Sequence, residues 1–405
     1  MSTSQLALAP AQQSVPSGAA GLLFQALGNL RFGHLRVVCP KGTPIDFAGA
    51  QPGPRATLIV HDWSVFSDII ARGDIGFAEA YLEQKWDTDD LPGLIALAVR
   101  NEAVLEAALF GRWLSMLAYR LRHRLRTNTR SGSRRNIHAH YDLGNDFYRL
   151  WLDESMSYSS ALFDNDTARG LPLAQAAKYE RVLEQLGARP GEHILEIGCG
   201  WGGFAEAAAR RGCRVTGITV SRAQLEYARE RIAAAGLSDL VNLELRDYRD
   251  LSGVFDHVVS IEMLEAVGER YWKTYFRTLR AALRSGGRAV LQVITIADDR
   301  FERYRRGTDF IQQYIFPGGM LPSPRKLTEL AAGAAFEIAD RYAFGADYAE
   351  TLRRWRASVG AREDAIRALG FDERFLRLWR FYLAYCEAGF NARTTDVEQI
   401  TLVRR

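Results

Sequence analysis

Apolar and polar positions divide this chain of 405 residues into stretches with different rhythms. Residues 1–19 are rich in Ser, Ala, Gln and Pro and offer little to bury, which predicts a disordered tail. Within 20–110, residues 35–39 and 56–60 read as strands between Gly and Pro turns, and 66–70 and 91–109 carry helical spacing. A small α+β domain is expected there. From Ile194 the text becomes a regular alternation. Short apolar runs at 194–197, 214–220, 241–245, 257–261 and 289–294 read as strands. Segments 204–211, 271–283 and one starting at Ala223 read as the helices between them. Such alternation means βαβ units and a parallel sheet covered on both faces, an α/β fold. After Thr295 the rhythm breaks into an aromatic, Arg-rich insertion, a helix and a late strand near 400–403.

Length favours two domains, and 47% apolar with 25% charged residues is globular. The net charge of +4 is too small to identify a polyanionic partner, but its distribution is informative. Residues 111–135 contain Arg112, Arg120, Arg122, Arg124, Arg126, Arg130, Arg134 and Arg135 and no acid. Trp113, Leu114, Met116, Leu117, Leu121 and Leu125 are interleaved, which predicts a basic amphipathic linker helix ahead of a second domain at 136–405. Alone, such a stretch is most simply a solvated interdomain helix; it also suits an anionic membrane surface. No nucleic-acid motif accompanies it. The four cysteines are widely separated with no CxxC pair, which argues against a disulfide framework or a structural zinc site. No signal layout or membrane-spanning run is present, so a cytoplasmic protein is expected.

The chemistry is concentrated in Glu196-Ile197-Gly198-Cys199-Gly200-Trp201-Gly202-Gly203, where a strand feeds a helix. Glycines there let the backbone approach a ligand, and helix amides face its polar groups. A dinucleotide site of the usual kind needs an acid about 20 residues further on. Gly217-Ile218-Thr219-Val220-Ser221 has none, which weakens a nicotinamide reading. Glu196 suits S-adenosylmethionine (SAM), whose ammonium and sulfonium are cationic. Asp247 and Tyr248, after the third strand, offer a hydrogen bond and a ring face to adenine, or else a turn cap and a core ring.

Several stretches resemble the cyclopropane fatty acid synthase family, including the mycolic acid cyclopropane synthases. They are 140–148 (His-Tyr-Asp-Leu-Gly-Asn-Asp-Phe-Tyr), Tyr158-Ser159-Ser160-Ala161-Leu162-Phe163, 218–224, 314–323 and Cys386-Glu387-Ala388-Gly389-Phe390. Residues 73–81 with Trp86-Asp87 resemble the N-terminal domain of the phospholipid-acting branch. The resemblance implies a class I SAM-dependent methyltransferase domain of Rossmann-like fold, with Tyr158, Ser159, Glu196, Gly198, Cys199, Gly200, Trp201, Gly202, Thr219, Ser221, Gln224, Asp247 and Tyr248 around the cofactor. It implies methyl transfer to the double bond of an unsaturated acyl chain in a phospholipid bilayer, by a peripherally associated enzyme. A dimer is compatible with the sequence.

In that family a bound bicarbonate removes a proton from the new methyl group and a ring closes. The matching contacts here are Glu265, Tyr348, Ser160, Gln292 and the Ile294 amide. Ser160 stands where the family usually has Cys, and Gln292 where it has His. Gln donates a hydrogen bond but does not titrate near neutrality. Cyclopropane formation is the family default; proton loss after a hydride shift would give a methylene-branched acid instead. Glu262 reads equally as a helix start. Cys386 is carried over from the family, although this chemistry needs no thiol nucleophile and a lone Cys is more often a small buried hydrophobe. The rival classes are a nicotinamide oxidoreductase, a non-catalytic lipid binder and a methyltransferase for a small soluble substrate. The last leaves the N-terminal domain and the basic stretch unexplained.

Overall fold

A computed structural model describes residues 18–40, 42–109 and 143–405. The expected tail, apart from its last two residues, and the basic linker lie outside the described residues; Ala19 already opens a helix, Ala19–Leu27.

The N-terminal part is built on β1 (Phe32–Val38), β2 (Ile45–Ala48), β3 (Gln51–Val60) and β4 (Trp86–Asp87), ordered β2-β1-β3-β4. β1 and β3 are parallel, and β2 and β4 pair antiparallel at the edges. Leu35 and Val37 on β1 and Ala56, Leu58 and Val60 on β3 are buried, so one face is apolar at the two-residue period of a strand. The helices Ala19–Leu27, Ser64–Leu82 and Leu91–Arg100 accompany this sheet. The single helix expected over 91–109 is two, because Asn101 interrupts it. Its buried side chain accepts from the Arg31 and Phe32 amides and donates to the Phe32 carbonyl, serving the entry to β1. A tertiary bond outweighed local helical spacing. Gly73 kinks the helix Ser64–Leu82 with φ 60°, a conformation that side-chain-bearing residues rarely adopt.

The larger sheet has seven strands: β5 (His193–Ile197), β6 (Arg214–Thr219), β7 (Val241–Leu245), β8 (Phe255–Ile261), β9 (Leu283–Ile296), β10 (Phe336–Ala343) and β11 (Thr395–Arg404). Their order is β10-β11-β9-β8-β5-β6-β7. β9, β8, β5, β6 and β7 run parallel, as expected, and β11 and β10 close one edge antiparallel. β10 escaped the sequence reading because only its first residue is fully buried; the rest alternate half-buried and exposed. Strand order reverses between β5 and β8, and ligand crevices of open α/β sheets lie at the carboxyl ends of the strands at such a point.

The two sheets are separate but their cores meet. The long helix Glu373–Asn391 belongs to one apolar cluster with Leu23, Leu35, Leu58 and Leu94. Its buried Arg377 donates to the Tyr81 and Trp86 carbonyls and to Asp87.

Candidate active site

A cavity of about 860 Å³ runs from the glycine turn after β5 into the N-terminal unit. Gly198 (φ 87°), Gly200 (φ 51°) and Gly202 (φ 84°) all have left-handed backbones. A Cβ on Gly198 would lie 2.9 Å from the Met263 side chain, so glycine is required there by space as well as by conformation. The Gly198 and Cys199 amides both donate to the Ile218 carbonyl, which fixes the turn against β6.

Of the residues expected around SAM, Tyr158, Ser159, Glu196, Gly198, Cys199, Gly200, Trp201, Thr219, Gln224, Asp247 and Tyr248 line this cavity. Gly202 and Ser221 are not among its lining residues. Gly202 precedes the helix Gly203–Arg210 and lies against Ala228, while the Ser221 hydroxyl caps the helix Arg222–Ala234 by accepting from the Gln224 amide. Asp247 keeps the turn-capping role: it accepts from the Arg249 amide and pairs with its guanidinium at 2.6 Å. Burial holds the Glu196 carboxyl up to about 8, against the pull of Arg231 and Lys178. Its Oε2 is buried with no hydrogen-bond partner in the protein. An orphaned acceptor at the glycine turn suits a cationic ligand group, so these residues fit SAM.

Beneath the turn sits a group the sequence reading missed. Lys178, on the helix Leu171–Leu186, is fully buried, and its ammonium donates to Ser159 Oγ and Gln175 Oε1, both at 2.5 Å. Burial lowers it to about 8 while Glu262, Asp153 and Glu196 hold it up. A lysine at helical spacing resembles any surface lysine in sequence; only its depth sets it apart.

The expected bicarbonate contacts do converge, but on a side chain. The Ser160 amide donates to Glu262 Oε1 at 2.8 Å, Gln292 Nε2 to the same oxygen at 2.7 Å, and the Tyr348 hydroxyl to Oε2 at 2.7 Å. Gln399 holds the Gln292 amide in register by donating to its Oε1 at 3.0 Å. The Glu262 carboxylate supplies the same O–C–O fork that bicarbonate would present to these donors. With these three donors already taken by Glu262, bicarbonate does not fit among them. Nor does Glu262 begin a helix: the next one is Leu264–Val267, and Glu262 itself has φ +51°, a left-handed conformation rare outside glycine. Strained backbone of this kind concentrates at functional sites. The sequence signal was the coincidence of an acid just after β8 with Ser160 and Gln292.

Glu265 takes the fifth contact, the Ile294 amide, on Oε1 at 2.5 Å. Its Oε2 is buried without a partner, and burial beside Glu262 raises the carboxyl to about 8. Aromatic rings close the wall: Tyr158 and Tyr382 share a hydrogen bond at 2.8 Å, and Tyr348 packs on Phe390 with ring centres 4.5 Å apart. Cys386 lines the cavity, and burial pushes its thiol far up, away from the thiolate a nucleophile requires.

A family model described as mycolic acid cyclopropane synthetase matches residues 128–400. The chain belongs to this family. It is a SAM-dependent methyltransferase of the cyclopropane synthase type, and the family's chemistry is methyl transfer to lipid acyl chains. Tuberculostearic acid methyltransferase UfaA1 of Mycobacterium tuberculosis is 39% identical over 98% of this chain and 95% of its own length. Cyclopropane-fatty-acyl-phospholipid synthase of Escherichia coli is 35% identical over 86% of this chain and 88% of its own. The crystal structure of mycolic acid cyclopropane synthase CmaA1 with SAH and CTAB is 31% identical, with a TM-score of 0.62, covering 67% of this chain and 98% of that one. The family's fold accordingly accounts for the seven-stranded sheet and its glycine turn. No helix among the described residues is long and apolar enough to cross a membrane.

Proposed function

We propose that this enzyme methylates the double bond of an unsaturated acyl chain carried in a membrane phospholipid, and that Glu262 takes the place of bicarbonate as the proton acceptor. The observation that carries this reading is the convergence of Ser160, Gln292 and Tyr348 on the Glu262 carboxylate. Tyr158, Ser159, residues 198–201, Thr219, Gln224 and Tyr248 would hold SAM, with Glu196 toward its cationic end; bound there, SAM supplies an electrophilic methyl group. An alkene is a weak nucleophile, so the walls must align it. The rings of Tyr158, Tyr348, Tyr382 and Phe390 present electron-rich faces to positive charge developing on the chain.

The two carboxyls have different duties. Glu265, held up to about 8, is mostly protonated at neutral pH and is a poor base. Burial also raises Glu262, but Lys178 and three hydrogen-bond donors favour its charged form, so the pair's negative charge resides there. Those same donors occupy its lone pairs and blunt it as a base. A slow base gives the carbocation time for a hydride shift from the methyl-bearing carbon to its neighbour, which converts a secondary cation to a tertiary one. Glu262 then accepts a proton from the methyl group and a methylene branch remains. Without the shift, the same proton loss closes a cyclopropane. We favour the branch, because the relative aligned over 98% of this chain is named for methylation and not for ring formation. The domain division at 111–135 gives that Arg-rich stretch a role in docking an anionic bilayer from the cytoplasmic side. Proton NMR of the modified lipid tests the product: vinylidene signals are expected, and shielded ring protons in their place would overturn the branch.

A further inference from the structure

The small sheet does not close tightly over its own core. Leu35 on β1, Leu58 on β3, Leu23 and Leu27 on the first helix, and Leu94 and Leu97 on the helix Leu91–Arg100 are all buried. Yet all six line the same cavity as Glu196, Glu265 and Tyr382. Protein cores normally pack to the density of organic crystals, and a void lined by leucines forfeits dispersion contacts. Such cavities stay dry and accept apolar guests. The family match begins at residue 128, so these leucines lie outside the part shared with the family as a whole.

Resting on the acyl-lipid reading above, we infer that the N-terminal unit receives the methyl-terminal segment of the acyl chain in this leucine-lined sleeve. It thereby sets which carbon of the chain reaches the catalytic wall. The opposite segment ends in an ester and a headgroup, which cannot be buried without polar partners; the six leucines offer none, and the charges of Glu102, Arg300 and Arg303 on the same cavity wall are paired with one another. Two acids of the cavity wall, Asp74 and Asp309, are not left bare toward an apolar guest. Asp74 accepts from the Phe310 amide and the Tyr385 hydroxyl, both at 3.2 Å, and Asp309 accepts from the Gln312 amide at 2.8 Å. Burial raises both, Asp309 to about 7, which reduces the charge they present.

Photolabelling of the whole chain tests the inference. The probe is a phosphatidylglycerol vesicle whose cis-unsaturated chains end in a diazirine, and labelled peptides are mapped by mass spectrometry. Label within 19–35, 51–60 or 91–105 is expected; label confined to 143–405, or no label on the protein, would overturn the sleeve. Filling it gives a second measurement. Leu58→Phe and Leu94→Phe should cut turnover of chains with a long methyl-terminal segment by at least about tenfold relative to short ones, the selectivity a methylene commands in an apolar pocket. SAM affinity should be unchanged. Equal turnover of long and short chains by folded variants would count against the sleeve, and labelling of the native enzyme decides if the variants do not fold. Labelled leucine peptides without any methylated lipid would sink the proposed reaction while leaving the sleeve in place.

Discussion

Replacing Glu262 separates a built-in base from a bound one. Glu262→Gln keeps the shape but removes the charge, and its amide NH2 must face at least one of three donors that now sit 2.7–2.8 Å from the carboxylate. Losing a positioned general base costs about 10²–10⁴ in kcat, or about 3–5 kcal/mol of barrier. SAM affinity should hold, since none of the residues assigned to the cofactor is altered. Glu262→Gly acts differently. It releases the Ser160, Gln292 and Tyr348 donors and removes a left-handed non-glycine residue, a conformation that costs about 1–3 kcal/mol. This variant should be inactive in carbon-dioxide-stripped buffer and recover when bicarbonate is added, whereas the native enzyme should not respond to bicarbonate. Transfer of labelled methyl from SAM to lipid vesicles reads all three proteins. Native activity that vanishes on stripping, or a Glu262→Gln variant with native kcat, would show that Glu262 is not the base.

Lys178→Met removes the charge that favours ionised Glu262, so the Glu262 pKa rises and the acid limb of the kcat–pH profile moves to higher pH. A merely structural lysine would lower Tm and leave that limb in place. Cys386→Ser should lower kcat by less than about tenfold, because a thiol held protonated is not an activated nucleophile; loss of all activity in a folded variant would restore the covalent reading. Glu196 and Glu265 rise from 4.5 to about 8 on folding, so the folded chain holds protons that the unfolded chain releases between those values. Stability from them is full below about pH 4.5 and lost as pH rises through about 8. Tm of the ligand-free protein should therefore fall from pH 5 to pH 8, and a flat Tm would contradict their burial; His193, held below 6.5 by burial, opposes part of this fall, and Lys178, lowered to about 8, opposes it only above that pH. Turnover of anionic vesicles should drop with added salt and with Arg→Glu changes at 120, 122 and 124, since each basic residue near such a surface contributes about 1 kcal/mol. Indifference to both would remove the docking role.

Much of the catalytic fold was legible because parallel strands buried on both faces must be apolar runs, and the helices between them must alternate with those runs. Residues 241–245 coincide with β7, and 214–220 and 257–261 fall within a residue or two of β6 and β8. Edge strands were harder: β2, β4 and β10 bury one face or little, so their periodicity is weak. Helices 345–361 and 373–391 lie where Arg and aromatic residues interrupt the simple stripe, and their burial comes from each other and from the N-terminal unit.

The site divides along the same physical line. Glycines, the adjoining acid and the spacing of the later stretches are local or motif-borne, so the sequence alone carried the fold, the cofactor class and a minority of the residues that line the cavity. Hydrogen-bond direction, depth and void space are properties of side chains brought together from distant parts of the chain. Only tertiary structure could turn Ser160, Gln292 and Tyr348 onto Glu262, sink Lys178 beneath the glycine turn, assign Ser221 to a helix cap, and leave the leucines of the small sheet facing an open cavity. Glu262 is the clearest case: a residue that sequence alone could equally place at a helix start stands where an ion was expected, because three donors from three separate segments meet at its carboxylate.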